Sequence, residues 1–120
     1  MAYAQNKRQQ VELTEEWARR HPAIHWSVMH PGWADTPAVR SAMPDFHAKM
    51  KDRLRTVSQG ADTVVWLAVS AAALKAESGQ FWQDRVVVPA HLPLAWSRAG
   101  PEDQQKLMAS LAELKERFSQ

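Results

Sequence analysis

Tyr3 and Lys7 stand four residues apart near the start of the chain, in the stretch Tyr-Ala-Gln-Asn-Lys. On a helix, positions i and i+4 share one face, so this spacing sets a phenol beside an ammonium. A free phenol exchanges its proton only at high pH, and a neighbouring cation favours the phenolate and brings that exchange toward neutrality. The pair therefore reads as a general acid/base directed at a carbonyl or a hydroxyl, with Lys7 supplying the charge. The plainer alternative is an aromatic ring packed along the body of a lysine.

Other residue types point to less. His21 and His25 are four apart, but Pro22 interrupts the helix that would align them and no carboxylate cluster accompanies them, so no metal site is expected. Ser27 and His30 lack the Gly-x-Ser-x-Gly turn that exposes a hydrolase nucleophile. The basic stretch Lys49 to Arg55 reads as a solvated helix face, and with a formal charge of only +2 no nucleic-acid partner is expected. The absence of cysteine excludes a disulfide framework and a thiolate nucleophile, and suits a reducing compartment such as the cytoplasm. No apolar run is long enough for a membrane span.

The elements that must position Tyr3 and Lys7 follow from pattern. Good helix formers from Ala2 to Arg20 predict one helix, ended by His21-Pro22. In Ala-Ile-His-Trp-Ser-Val-Met-His, residues 23–30, apolar and polar positions alternate, which predicts a strand buried on at least one face. Pro31 to Pro37, Pro-Gly-Trp-Ala-Asp-Thr-Pro, breaks it into a loop. A short helix is expected between Asp45 and Arg55, then a longer one from about Gln59 to Leu74, capped by Ser58 and buried through Val64 to Val69. A strand near Gln80 to Trp82, a polar turn at Asp84-Arg85 and an extended piece at Val86 to Val88 come next. A last helix starts at Pro101, with Glu102 and Asp103 in its first turn and an apolar stripe of Leu107, Met108, Leu111, Leu114 and Phe118. Strands alternating with helices imply a parallel sheet with covering helices, and 120 residues allow one domain. Trp17, Trp26, Trp66 and Trp82 are expected in the core, and Trp33 beside the loop.

The ordered set of Tyr-x-x-x-Lys, helix, strand and Pro-Gly-x-x-x-Thr resembles the C-terminal half of the short-chain dehydrogenase/reductase family, over nearly the whole chain. The resemblance implies an α/β fold: the C-terminal portion of a Rossmann-like, doubly wound parallel sheet lacking the N-terminal dinucleotide-binding strands. Residues 1–120 would then be catalytic helix, substrate-side segment, last strand and C-terminal helix. It implies Tyr3 as catalytic acid/base and Lys7 as the lysine that assists it and hydrogen-bonds the nicotinamide ribose. Pro31 and Gly32 match the turn that approaches the nicotinamide, and Thr36 a hydroxyl on the cofactor side. Met43 through Leu54 match the variable segment that shapes substrate choice. The implied cofactor is NADP or NAD, and the implied reaction is hydride transfer between a carbonyl and an alcohol. The substrate is a small carbonyl or alcohol, a lipophilic one included, and homo-oligomer contacts through the first helix are expected.

The family's Gly-x-Gly-x-x-Gly phosphate loop is missing, since the four glycines are Gly32, Gly60, Gly79 and Gly100. The expectation is an N-terminally shortened form, starting at Met1 and inactive alone. The alternative is a non-catalytic module that docks on a full-length partner.

Overall fold

The computed structural model describes residues 2–119; Met1 and Gln120, and with them the expectation about an internal start, lie outside. Its elements are α1 (Ala2–Arg20), β1 (Ser27–Met29), α2 (Pro37–Ala42), α3 (Pro44–Met50), α4 (Val57–Val69), β2 (Gln80–Gln83), β3 (Val86–Val87) and α5 (Pro101–Phe118), with 3-10 turns at Lys51–Arg53 and Ala73–Lys75. The class is mixed α/β. The strand order is β1-β2-β3. β1 and β2 run parallel: the Trp26 carbonyl accepts from the Gly79 amide at 2.8 Å and the His30 amide donates to the Trp82 carbonyl at 2.9 Å. β2 and β3 form an antiparallel hairpin with Trp82 opposite Val87 and Gln83 opposite Val86. Asp84 and Arg85 both take positive φ, 53° and 62°, the conformation that lets a two-residue turn follow the twist of its strands. The parallel pairing agrees with the helix–strand alternation, while β3 adds an antiparallel edge.

The chain divides into two compact units. The first comprises residues 1–28, 77–81 and 89–120. Here α1 has the predicted bounds, closed where the His21 amide donates to the Trp17 carbonyl at 2.8 Å. Trp17 packs on Trp26 with ring centroids 4.8 Å apart. Gly79 has φ +90°, and a Cβ there would meet the Ala18 Cβ at 3.0 Å, so this crossing needs a glycine. Of the predicted strand only Ser27–Met29 is extended. Ile24 lies in the turn that follows α1, its amide bonded to the His21 carbonyl, and is half exposed. α5 begins at Pro101 as predicted, with Leu107, Met108 and Leu111 half-buried, but the stripe is exposed at Leu114 and Phe118.

α1 buries carboxylates alongside Val11: Glu12 and Glu16 are 4% and 5% exposed. Glu16 accepts from Arg19 Nη2 at 2.6 Å and from Arg20 Nε at 2.5 Å. The Arg19 hydrogen bond, helped by Arg20 and opposed by burial, holds the Glu16 carboxyl at about 2, below its ordinary 4.5. A carboxyl depressed on folding contributes stability that is complete above its unfolded value and is lost as the pH falls through its folded one. Because Arg19 and Arg20 are 69% and 41% exposed, screening leaves a contribution of about 1 kcal/mol. Melting temperature is therefore expected to fall between pH 4.5 and 2, and Glu16→Gln to flatten that part of the profile. An unchanged slope in the variant would contradict this.

The second unit comprises residues 29–76 and 82–88. After the Pro31–Pro37 loop come α2 and α3, the latter continued by the 3-10 turn, close to the predicted short helix. Helix α4 is capped by Thr56, not Ser58: the Thr56 hydroxyl accepts from the Gln59 amide while the Gln59 side chain accepts from the Thr56 amide, a reciprocal capping box. It also ends five residues before Leu74, at Val69, where Ser70 turns extended. The expected burial of Val64 to Val69 does not hold. Gly60 and Thr63 are the buried positions of α4, with Ala73 just beyond it; Val65 and Val69, on other sides of the helix, are 58% and 79% exposed, and Val64, one turn after Gly60 on its face, is still 51% exposed. Trp82 is buried, with Trp66 against it at 5.5 Å. Among the described residues, no helix is long and apolar enough to cross a membrane.

Candidate functional site

Tyr3 and Lys7 lie in the first unit, on the first two turns of α1. The helix brings them together as the i, i+4 spacing requires, and both are exposed. The Lys7 ammonium stands 5.7 Å from the centre of the Tyr3 ring, over its face, and donates to Gln10 Oε1 at 3.2 Å. The contact is thus cation on ring, the packing arrangement set beside the acid/base reading above. With Tyr3 76% exposed, the phenol is open to a reacting group brought to it from outside α1.

Pro31, Gly32 and Thr36 lie in the second unit. Gly32 has φ +73° and its amide donates to His30 Nδ1 at 3.0 Å, closing the turn. Arg55 dominates what surrounds it. Its Nη1 donates to the Pro31 carbonyl at 3.2 Å, and its two terminal nitrogens grip Asp84 at 2.5 and 2.8 Å. The backbone joins the same segments, with the Asp35 amide donating to the Arg55 carbonyl and the Arg55 amide to the Trp33 carbonyl, both at 2.8 Å. The Arg55 hydrogen bond holds the Asp84 carboxyl below the usual carboxylate range. Gly60 completes the packing: a Cβ there would meet the Ala34 Cβ at 3.0 Å.

Thr36 serves as the N-cap of α2, its Oγ1 accepting from the Val39 amide at 3.3 Å. Beside it Asp35 accepts from Arg40 Nε and Nη2 at 2.7 and 2.8 Å and lies 3.0 Å from His47 Nε2. Arg40, foremost, keeps the Asp35 carboxyl ionised to lower pH than usual. Trp33 stacks at a tilt on Phe46 of α3, 4.7 Å between centroids, which links the Pro-Gly loop to the 43–54 segment. Among the described residues, no group of three or more His, Cys, Asp or Glu side chains is placed to hold a metal ion.

These residues supply no cradle for the phosphates of a dinucleotide. A Cβ on Gly32 would lie 2.6 Å from Arg55 Nε, so the open face of that glycine is filled by a guanidinium. Thr36 Oγ1 is engaged as a cap, and none of the four glycines belongs to a phosphate-cradling loop. For Gly32→Ala the expected cost is about 2 kcal/mol, from left-handed backbone plus the displaced guanidinium. Urea unfolding in the Arg55→Ala background should show roughly half of it, because only the backbone part remains. Equal costs in both backgrounds would mean that Arg55 does not crowd Gly32.

Comparison with known proteins gives this geometry a lineage. Over 118 residues, 98% of the chain, 60% of positions are identical to dehydrogenase/reductase SDR family member 12 of Homo sapiens, and the same holds for the Bos taurus protein. The chain is homologous to the short-chain dehydrogenases/reductases. A more distant relative, 33% identical over 78% of the chain, is a Streptomyces protein with the name "Putative daunorubicin C-13 ketoreductase DnrU". The chain spans 37% of the length of the human and bovine relatives and 32% of the Streptomyces one. No protein-family model matches it. No solved structure matches it significantly.

Sequence reasoning missed the residues that hold this region together. By sequence Arg55 reads only as part of a solvated basic face, yet it joins the Pro31–Gly32 turn to Asp84, and Arg85 correspondingly grips Asp62 and donates its amide to Thr63 Oγ1 at 3.3 Å. The partners are 29 and 23 residues apart, and no local spacing announces them.

Proposed function

We propose that the chain is the acid/base segment of an oxidoreductase of the short-chain dehydrogenase/reductase type. Tyr3 exchanges the proton of a carbonyl or alcohol and Lys7 supplies the adjacent charge, as in the Tyr-x-x-x-Lys pattern. NADP or NAD would supply or accept the hydride in a complete enzyme. Pro31, Gly32 and Thr36 form the turn on the cofactor side, and residues 43–54 border the substrate. In this reading residues 1–120 add the catalytic helix, last strands and C-terminal helix to a Rossmann-like, doubly wound sheet. The name of the Streptomyces relative describes reduction of a ketone, which favours a ketone as the oxidised substrate. What carries the reading is 60% identity across 98% of the chain.

The isolated 120-residue chain, with no Gly-x-Gly-x-x-Gly and with Arg55 on Gly32, binds no dinucleotide and has no dehydrogenase activity alone. Calorimetric titration with NADPH and NADH should give no heat of binding; micromolar affinity for either would defeat this. The exposed Val64, Val65 and Val69 favour a second reading, a module that docks on a full-length dehydrogenase. Co-elution with such a protein together with a change in its turnover would support docking, and separate elution would remove it.

A further inference from the structure

The basic stretch that leads into α4, Lys51-Asp-Arg-Leu-Arg-Thr-Val-Ser58, takes no part in the Tyr3–Lys7 chemistry. Arg53 and Arg55 stand five and three residues before Ser58, and of the chain's serines and threonines only Ser58 has arginines at both of those positions. Cations at fixed distances ahead of a hydroxyl are the charge pattern by which arginine-directed protein kinases choose a substrate, each guanidinium meeting carboxylates of the kinase cleft. The structure leaves the hydroxyl open. Ser58 is exposed in the first turn of α4 and its Oγ has no hydrogen-bond partner among the described residues, whereas Thr56 Oγ1 accepts from the Gln59 amide at 3.2 Å. Arg53 is exposed as well and forms no ion pair among the described residues.

We propose that Ser58 is a phosphorylation site for an arginine-directed protein kinase, and that its phosphate takes Arg55 away from Asp84. In the transfer Ser58 Oγ bonds to the γ-phosphorus of ATP, the bond from that phosphorus to ADP breaks, and the hydroxyl proton passes to a carboxylate of the kinase. The kinase reaches the serine as the first turn of α4 opens, helix ends being where local opening starts. Ser58 lies with Arg55, Gln59, Asp62 and Asp84 around an open hollow of about 540 Å³, which has room for a phosphoryl group. Asp62 and Asp84 repel a phosphate there, and Arg55 is the one cation among the five lining residues. The phosphate carries about −1.5 to −2 charges at neutral pH, with three acceptor oxygens, and so outcompetes the single charge of Asp84 for the guanidinium. The positive end of the α4 dipole favours it in the same place. As Arg55 turns toward α4 it leaves the Pro31 carbonyl and the open face of Gly32, so the modification releases the Pro-Gly turn.

The test is incubation of the 120-residue chain with MgATP and each of two arginine-directed kinases, protein kinase B and cyclic-AMP-dependent protein kinase, followed by mass spectrometry of the intact chain and its peptides. One phosphoryl group is expected, on Ser58, and none on Ser58→Ala. Arg53→Ala removes an exposed cation; it should keep the circular dichroism of the wild type and lower the initial rate at least about tenfold. No incorporation with either kinase, incorporation at Thr56 in place of Ser58, or an unchanged rate for Arg53→Ala would overturn the site. Urea unfolding reads the fate of Arg55. Asp84→Asn should lower the midpoint of the unmodified chain and leave that of the phosphorylated chain where it is, because Arg55 has already left Asp84. An equal drop in both would show that the phosphate does not take Arg55, and would overturn that part of the proposal.

Discussion

Tyr3→Phe, made in a polypeptide that joins this segment to a dinucleotide-binding half, is expected to lower turnover by about 10²–10⁴-fold, the range of a lost general acid/base. KM should change little, because the ring and its place on α1 are kept. Stability should move by less than about 0.5 kcal/mol, since Tyr3 is 76% exposed. Lys7→Met should also slow turnover, and Lys7→Arg should restore part of the rate by keeping a cation near the phenol. The structure makes this a demanding test. With the ammonium 5.7 Å from the ring centre, Lys7 packs on Tyr3 in the described arrangement. Were the pair only packing, Tyr3→Phe would keep full turnover, because phenylalanine offers the same ring face to a cation.

The largest effect on stability is expected at Arg8. Its guanidinium pairs with Glu12, reaches the Ala90 carbonyl and lies 2.9 Å from His91 Nε2, while Gln104 of α5 donates to the other Glu12 oxygen at 2.9 Å. Burial opposes ionisation of Glu12, but the hydrogen bonds from Gln104 and Arg8 outweigh it and the carboxyl stays below its ordinary value. Arg8→Met keeps the length of the stem and removes the charge, leaving Glu12, 4% exposed, with only neutral donors, the Gln104 side chain and the Ala99 amide. The expected loss is about 3 kcal/mol, typical of stranding one partner of a buried pair. Adding Glu12→Gln should recover a good part of it, because a neutral amide is cheaper to bury than an unpaired carboxylate. Chemical unfolding of the two single variants and the double variant gives the coupling, and strictly additive losses would show that Glu12 does not depend on Arg8.

What could be read from the sequence followed the range of the signals involved. α1 and α5 were legible because their limits are set locally, by His21-Pro22 at one end and by Pro101 with its acidic first turn at another. The hairpin was legible from Asp84-Arg85 between apolar stretches. The capping residue was misplaced by two positions because Ser58 and Thr56 are equally apt by type; the reciprocal bond with Gln59 decides for Thr56. Val64, Val65 and Val69 misled because residue type predicts burial only where another element arrives to cover that side of the helix. For the candidate site, the Tyr3–Lys7 juxtaposition was legible from spacing alone. The guanidinium on Gly32 was not, since it depends on contacts between residues 24 and 29 positions apart.

The Asp84-Arg85 turn also limits what can be done to the molecule. Being exposed and only two residues long, it resembles a convenient place to insert a label or a loop. Yet its neighbouring side chains are committed in opposite senses, the carboxylate to Arg55 and the guanidinium to Asp62. One added residue would change which way each points, break both ion pairs at once and release the guanidinium lying on Gly32. The hairpin is a ruler whose length sets the state of the Pro-Gly loop, and tags are better placed elsewhere.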